Sequence, residues 1–286
     1  MNHLIADNRV STLRAYLSDK LSACYDSREA SNLVHELFQA YHGWGRAEIV
    51  LNANQRLGES ELLKYHFALK RLSLGEPLQY VLGYAWFLDM KLHVDNRVLI
   101  PRPETEELVR LVVSRNSVTN PRILDVGTGS GCIAIALKKL IPGAHITAVD
   151  VSNDALAVAQ QNSTNLQADV EFVNFDILTS KPNDRFDIIV SNPPYIPLQE
   201  QTAMSKRVTE HEPHLALFTS DNDALVFYRR LMELSTETLS QHGQVFCEIH
   251  ENMADALLQL AENYSISHQS ILTDLQGKNR MMCWSI

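Results

Sequence analysis

The residues with the most chemistry to offer form one short run, Asn192-Pro193-Pro194-Tyr195, directly after the apolar stretch Asp187-Ile188-Ile189-Val190-Ser191. An amide or aromatic amine nitrogen is planar and its lone pair is delocalised, so a general base alone would not aim it at an electrophile. Two carbonyl oxygens, one on the Asn192 side chain and one on the Pro193 backbone, can accept its two N–H bonds while the Tyr195 ring stacks on the flat group. Pro193 and Pro194 stiffen the loop, so the acceptors are held in place before anything binds. Taken alone, the run also fits a rigid surface turn, where paired prolines are common.

A second run, Ile123-Leu124-Asp125-Val126-Gly127-Thr128-Gly129-Ser130-Gly131-Cys132, is an apolar strand that breaks into a glycine-rich turn and then a helix. Glycines let the backbone turn sharply and let a ligand lie against the main chain. A dinucleotide fingerprint orders its glycines G-x-G-x-x-G, and here the third position is Cys132. The observed D-x-G-x-G-x-G order instead resembles the first motif of class I S-adenosylmethionine-dependent methyltransferases. Asp125 has a physical reason to precede those glycines: the methionine part of that cofactor carries an ammonium and a sulfonium but no phosphate, so an acid attracts it where pyrophosphate would be repelled. Gly127, Thr128, Gly129, Ser130 and Gly131 would then form the cofactor loop.

Nineteen residues beyond Gly131, the strand Ile146–Val149 ends in Asp150, which can accept from ribose hydroxyls, although on its own it also reads as a helix cap. After Glu171-Phe172-Val173-Asn174, Asp176 is placed to meet an adenine amino group and Ile177 to pack on its ring; a solvated loop acid is the other reading of Asp176. In an open α/β sheet ligands bind beyond the carboxyl ends of the strands, which makes the tetrad at 192–195 face the methyl donor.

The elements that must position these residues follow from periodicity. Val10 to Leu74 shows apolar residues at helical spacing, as in Leu13, Tyr16, Leu17 and Leu21, and implies a small helical bundle in which Ser27 can cap a helix carrying Glu29 in its first turn. Gln79–Gly83 and Met90–Val94 alternate like the arms of a hairpin. After Pro101-Arg102-Pro103-Glu104-Thr105-Glu106, strand and helix alternate, which implies a largely parallel, doubly wound sheet. The strands expected are 122–126, 145–151, 170–174, 187–191 and 244–249, with helices starting near Gly131, Asn153, Asn222 and Asn252. The stretch 265–286 reads as a closing hairpin with an antiparallel member. The boundaries are a helical domain over 1–75, a hairpin linker over 76–100 and an α/β domain over 101–286.

Composition limits the partners. With 45% apolar and 21% charged residues the chain is an ordinary globular protein, and its formal net charge of −9 disfavours an extended grip on nucleic-acid phosphates. Residues 1–75 hold nine Lys/Arg against eight Asp/Glu, leaving 16 against 26 for residues 76–286. Cys24, Cys132, Cys247 and Cys283 are scattered and read as free, mostly buried thiols, with no metal site. The start, Met1–Asp7, lacks a basic segment followed by an apolar run, and no stretch approaches bilayer length, so a cytoplasmic protein without membrane contact is the simplest reading.

Taken together, the helical N-terminal part, Gly75-Glu76-Pro77-Leu78-Gln79-Tyr80, the run 100–106, the loop 127–131, the tetrad and Glu212-Pro213 occur in an order that resembles the HemK/PrmC family of protein-(glutamine-N5) methyltransferases. That resemblance covers nearly the whole chain. It implies a Rossmann-like class I methyltransferase domain, with a seven-stranded, mostly parallel sheet and a C-terminal antiparallel hairpin, and S-adenosyl-L-methionine as cofactor, held by Gly127 to Gly131, Asp150, Ile177 and Asn192. It also implies, as substrate, the glutamine of the Gly-Gly-Gln loop of peptide chain release factors, docked by the helical domain of a monomeric enzyme. Ile177 is a departure where relatives carry an aromatic residue. Two rivals remain at this point: an adenine-N6 DNA methyltransferase, which uses the same kind of tetrad on a flipped base, and a binding module that has kept the fold. His211 and His214 read as exposed loop histidines.

Overall fold

The computed structural model describes residues 7–219, 223–264 and 266–286, so the segment Met1–Ala6 and the helix start expected near Asn222 lie outside the described residues. The chain forms two units. One runs to Gly83 and also takes in Lys206–His211; the other comprises Tyr84–Ser205 and Glu212–Ile286.

The first unit is helical: α1 (Val10–Leu21), α2 (Ser27–His42), α3 (Arg46–Leu51), α4 (Glu59–Ser73) and α5 (Leu78–Leu82). Its core is the set of residues at helical spacing, Leu13, Leu17 and Leu21 of α1 against Val34, Leu37 and Phe38 of α2 and Tyr65, Leu69 and Leu72 of α4. Asp26, not Ser27, is the cap of α2: its carboxylate accepts from the backbone N–H of Arg28 and Glu29, at 2.9 and 2.8 Å. Such a cap stabilises by about 1 kcal/mol.

The first hairpin arm expected over Gln79–Gly83 is instead the helix α5. Pro77 supplies the extended residue before it, and Gly83, at φ 76°, ends it in the left-handed conformation. The hairpin itself is β1 (Tyr84–Phe87) paired antiparallel with β2 (Met90–His93).

In the second unit there follow α6 (Pro103–Arg115), β3 (Arg122–Val126), α7 (Cys132–Leu140), β4 (His145–Asp150), α8 (Asn153–Leu166), β5 (Glu171–Asn174), β6 (Phe186–Ser191) and β7 (Ile196–Pro197). The short helix α9 (Lys206–Thr209) belongs to the helical unit. The chain then continues through α10 (His214–Leu217), β8 (Phe218–Thr219), α11 (Val226–Thr238), β9 (Leu239–Glu248), α12 (Ala254–Ala261), β10 (Ser267–Thr273) and β11 (Asn279–Ser285). Seven strands form one sheet in the order β10-β11-β9-β6-β3-β4-β5, parallel except for β11, which runs antiparallel to both its neighbours. The mostly parallel sheet with a closing hairpin is therefore as expected, with β9 starting five residues earlier than the apolar pattern from Gln244 suggested.

Neighbouring residues of the central strands face opposite layers. Ile123, Ile188 and Phe246 pack with Leu108 of α6 and Ile135 of α7, while Leu124, Ile189 and Cys247 pack with Leu231 of α11 and Leu257 of α12. Burial on both faces explains why these strands read as continuous apolar runs. Among the described residues no helix is long and apolar enough to cross a membrane, and the four cysteines are free, with only Cys24 exposed.

Candidate functional site

The site is assembled by strand register. Val126 of β3 lies level with Val149 of β4 and Ser191 of β6, and Asp150 lies level with Asn174 of β5. The glycine loop, Asp150, the turn after β5 and the tetrad therefore leave the sheet side by side at its carboxyl edge, where α/β sheets bind ligands. The Ser191 hydroxyl donates to the Val126 carbonyl at 2.8 Å and ties the start of the tetrad to the strand that feeds the loop.

Gly127, Gly129 and Gly131 all have positive φ, at 72°, 54° and 80°. A Cβ on Gly131 would meet Ile135 Cδ1 at 3.0 Å and Ala159 Cβ at 3.1 Å, so this glycine lets α7 approach α8 closely. A Cβ on Gly127 or Gly129 would meet nothing within 4 Å, so these two keep their backbone bare toward open space. The loop is pinned from β4: the Gly127 and Thr128 N–H groups donate to the Val149 carbonyl, and the Gly129 N–H donates to Asp150 Oδ2 at 2.9 Å.

Asp125 is fully buried beneath the loop, where it accepts the Thr128 hydroxyl at 2.7 Å. Burial pushes its carboxyl up to about 7, against the opposing hydrogen bonds from Thr128 and the Ala134 N–H. Asp150 is also raised by burial, less the bonds it accepts from Ser152, Gly129 and Val151. The Asp125 Oδ1 and Ser130 Oγ atoms are buried without a hydrogen-bond partner. Two carboxyls held reluctant to ionise, beside a bare glycine backbone, fit a ligand that brings positive charge and no phosphate. S-adenosylmethionine meets that description, and the residues present suit it.

Asp176 accepts from the Leu178 N–H at 2.9 Å and the Thr179 hydroxyl at 3.1 Å, closing its own turn. Ile177 is 7% exposed and packs in the core with α11, and its carbonyl accepts from Arg230 Nε at 2.8 Å. The structure thus brings Asp125, the loop, Asp150 and Asn192 to one edge, with Asp176 and Ile177 in the turn that leaves the next strand.

The tetrad is held from behind by residues that sequence reasoning missed. Asn192 Nδ2 donates to the Thr105 hydroxyl at 3.1 Å, and that hydroxyl donates to Glu248 Oε2 at 2.7 Å. The Tyr195 hydroxyl donates to the other oxygen, Glu248 Oε1, at 3.1 Å. Glu248 is 1% exposed; burial raises its carboxyl, and the bonds from Thr105 and Tyr195 pull it back. Burial, followed by the Glu248 charge, raises the Tyr195 phenol, which stays protonated and donating. Pro193 is buried between these anchored neighbours. Glu248 carried a usable signal, an acid at the carboxyl end of the apolar strand Val245-Phe246-Cys247, the same feature that singled out Asp150.

Glu212, 4% exposed, accepts from Arg102 Nη2 at 2.6 Å and from the Ile100 N–H at 3.1 Å, so the Glu212-Pro213 pair and the run 100–106 meet. His211 lies in the helical unit, its ring nitrogen 3.3 Å from the Leu74 carbonyl, and His214 packs edge-on against Phe218. His250 sits edge-on to Tyr195, with ring centroids 6.0 Å apart. Among the described residues no His, Cys, Asp and Glu group could hold a metal ion.

A methyltransferase small domain family matches residues 105–216, and a PrmC N-terminal domain family matches residues 12–83. The chain is 40% identical over 278 residues to a release factor glutamine methyltransferase of Flavobacterium psychrophilum, covering 96% of this chain and 98% of that one. It is 37% identical to one from Bacteroides thetaiotaomicron, covering 96% and 99%. Among solved structures, the hMettl16 catalytic domain in complex with the MAT2A 3′UTR hairpin 6 superposes with a TM-score of 0.53 at 16% identity, over 79% of this chain and 82% of that one, a likeness of fold alone.

Proposed function

The chain belongs to the release factor glutamine methyltransferase family, and from that membership and its site we infer that it transfers a methyl group from S-adenosylmethionine to the side-chain amide nitrogen of the glutamine in the Gly-Gly-Gln motif of peptide chain release factors. The observation that carries the mechanism is the Glu248–Thr105–Asn192 chain of hydrogen bonds. It commits Nδ2 of Asn192 inward and leaves Oδ1 for a substrate N–H.

In this reading Asn192 Oδ1 and the Pro193 carbonyl accept the two N–H bonds of the glutamine amide, which orients the nitrogen with its face toward the donor. Tyr195, anchored through its hydroxyl on Glu248, offers its ring to the flat amide. Pro194 restricts the backbone between them. The two carbonyl dipoles also stabilise the positive charge that grows on nitrogen during attack. The cofactor, when bound, supplies an activated methyl group on a sulfonium. Gly127 to Gly131, with Asp125 and Asp150, would hold its cationic methionine part and ribose, and Asp176 and Ile177 its adenine. The extra proton leaves to water, so the site requires no strong base.

The same reading assigns release-factor docking to the helical unit and the cytoplasm to a monomeric enzyme. The net charge of residues 76–286 supports a protein substrate over a nucleic-acid one. Mass spectrometry of a release factor incubated with the protein and labelled cofactor tests it: one glutamine gains a methyl group. Label on DNA adenine and none on protein would sink it.

A further inference from the structure

The surface of the helical unit has an open pocket of about 160 Å³ whose lining includes Arg14 and Ser18 of α1, Ser31 and His35 of α2, and Arg46 and Val50 of α3. Its lining is cationic, with no acid in it. Neither arginine has an acidic partner among the described residues, whereas Arg71, Arg97 and Arg102 are each ion-paired with a carboxylate. Arg46 is oriented by a bond from Nη2 to Asn32 Oδ1 at 2.9 Å. The Nδ1 atom of His35 is buried and has no hydrogen-bond partner. Two guanidinium groups without an acidic partner, two serines and a histidine thus line one space, beside the apolar Val34 and Ile49.

We propose that this pocket seats a carboxylate side chain of the release factor, so that the enzyme selects the whole protein and not the glutamine loop alone. The proposal rests on the release-factor reading above. A carboxylate matches the guanidinium fork in charge and geometry. A protein is favoured over a free anion or a nucleic-acid phosphate because α3 carries two large apolar side chains beside Arg46, Val50 at 61% and Leu51 at 82% exposed. Apolar side chains next to arginine are the makings of a protein interface, while phosphate binding gains nothing from them.

The test is methylation kinetics on the intact release factor. Arg14→Glu and Arg46→Glu each raise KM for the release factor about tenfold or more, the loss of roughly one charge-assisted contact, while kcat and cofactor affinity stay within about twofold. Arg14→Lys and Arg46→Lys recover part of the loss. Among Asp→Arg and Glu→Arg variants across the release-factor surface, one restores the Arg46→Glu rate.

Unchanged KM in both Glu variants overturns the proposal. So does a fall in kcat together with a lowered melting temperature, which would make the arginines structural. Unchanged KM with lost retention of a single-stranded RNA probe would assign the pocket to nucleic acid and overturn it as well. If the wild-type protein places no methyl group on a release factor, the functional reading falls; if it does and KM alone is insensitive, only the pocket falls.

Discussion

Asn192 and Thr105, 87 residues apart in sequence, are joined by a hydrogen bond of 3.1 Å from Nδ2 to the hydroxyl, and this contact decides which way the Asn192 amide faces. Asn192→Ala removes the acceptor itself and abolishes transfer, while cofactor affinity stays within roughly tenfold. Thr105→Val keeps the shape and removes the hydroxyl, which frees the amide to rotate. We expect kcat to fall by about 10- to 100-fold with little change in cofactor affinity, and Thr105→Ser to recover most of it. Single-turnover kinetics with calorimetry on the same variants checks both, and full activity in Thr105→Val would remove Thr105 from the positioning chain.

Glu248 accepts from both Thr105 and Tyr195 inside the protein. Glu248→Ala strands two buried hydroxyls and lowers stability by about 2–4 kcal/mol as well as activity. Glu248→Gln retains one acceptor oxygen and is the milder change in stability. Its amide nitrogen cannot accept, so one of the two hydroxyls loses its anchor and kcat drops. Chemical denaturation of both variants, set beside kcat, separates the packing contribution from the positioning one.

The three loop glycines should separate by location. Gly131→Ala forces a Cβ against Ile135 and Ala159 at a positive φ and costs about 1–3 kcal/mol of stability. Gly127→Ala and Gly129→Ala meet only the left-handed backbone penalty of about 1–2 kcal/mol, but fill space that lies open. Their main effect is therefore expected on cofactor affinity. Thermal melts with and without cofactor read the difference: cofactor still raises the melting temperature of Gly131→Ala and raises that of the other two less.

Asp125, pushed up to about 7 by burial, links binding to pH. Its folded carboxyl binds a proton more tightly than the unfolded one, at about 3.9. Its contribution to stability is therefore complete below pH ~4 and is lost as pH rises toward 7. A cationic ligand favours the ionised form, so cofactor binding below pH 7 releases a proton and affinity rises with pH between about 5 and 7. Calorimetry in buffers of different ionisation enthalpy measures that release. Asp125→Asn flattens the dependence; an unaltered pH profile in that variant would remove Asp125 from the linkage.

Sequence alone determined the loop Asp125–Gly131, the tetrad 192–195 and the alternation of strand and helix, because each is local: three alternating residues at positive φ are written most readily in glycine, and strands buried on both faces are largely apolar. The same locality misled at Gln79–Gly83, where five residues fit a strand or a helical turn equally and the left-handed Gly83 selected the helix. What only the tertiary structure decided is which polar groups stand behind the site. The parallel register that sets Ser191 level with Cys247 brings Glu248 beside Asn192, and α6 delivers Thr105 to both. Nothing in the spacing of Thr105, Asn192 and Glu248 announces that meeting, since a hydrogen bond across 87 or 143 residues depends on how the strands pair and the helices pack, and a one-dimensional pattern carries neither.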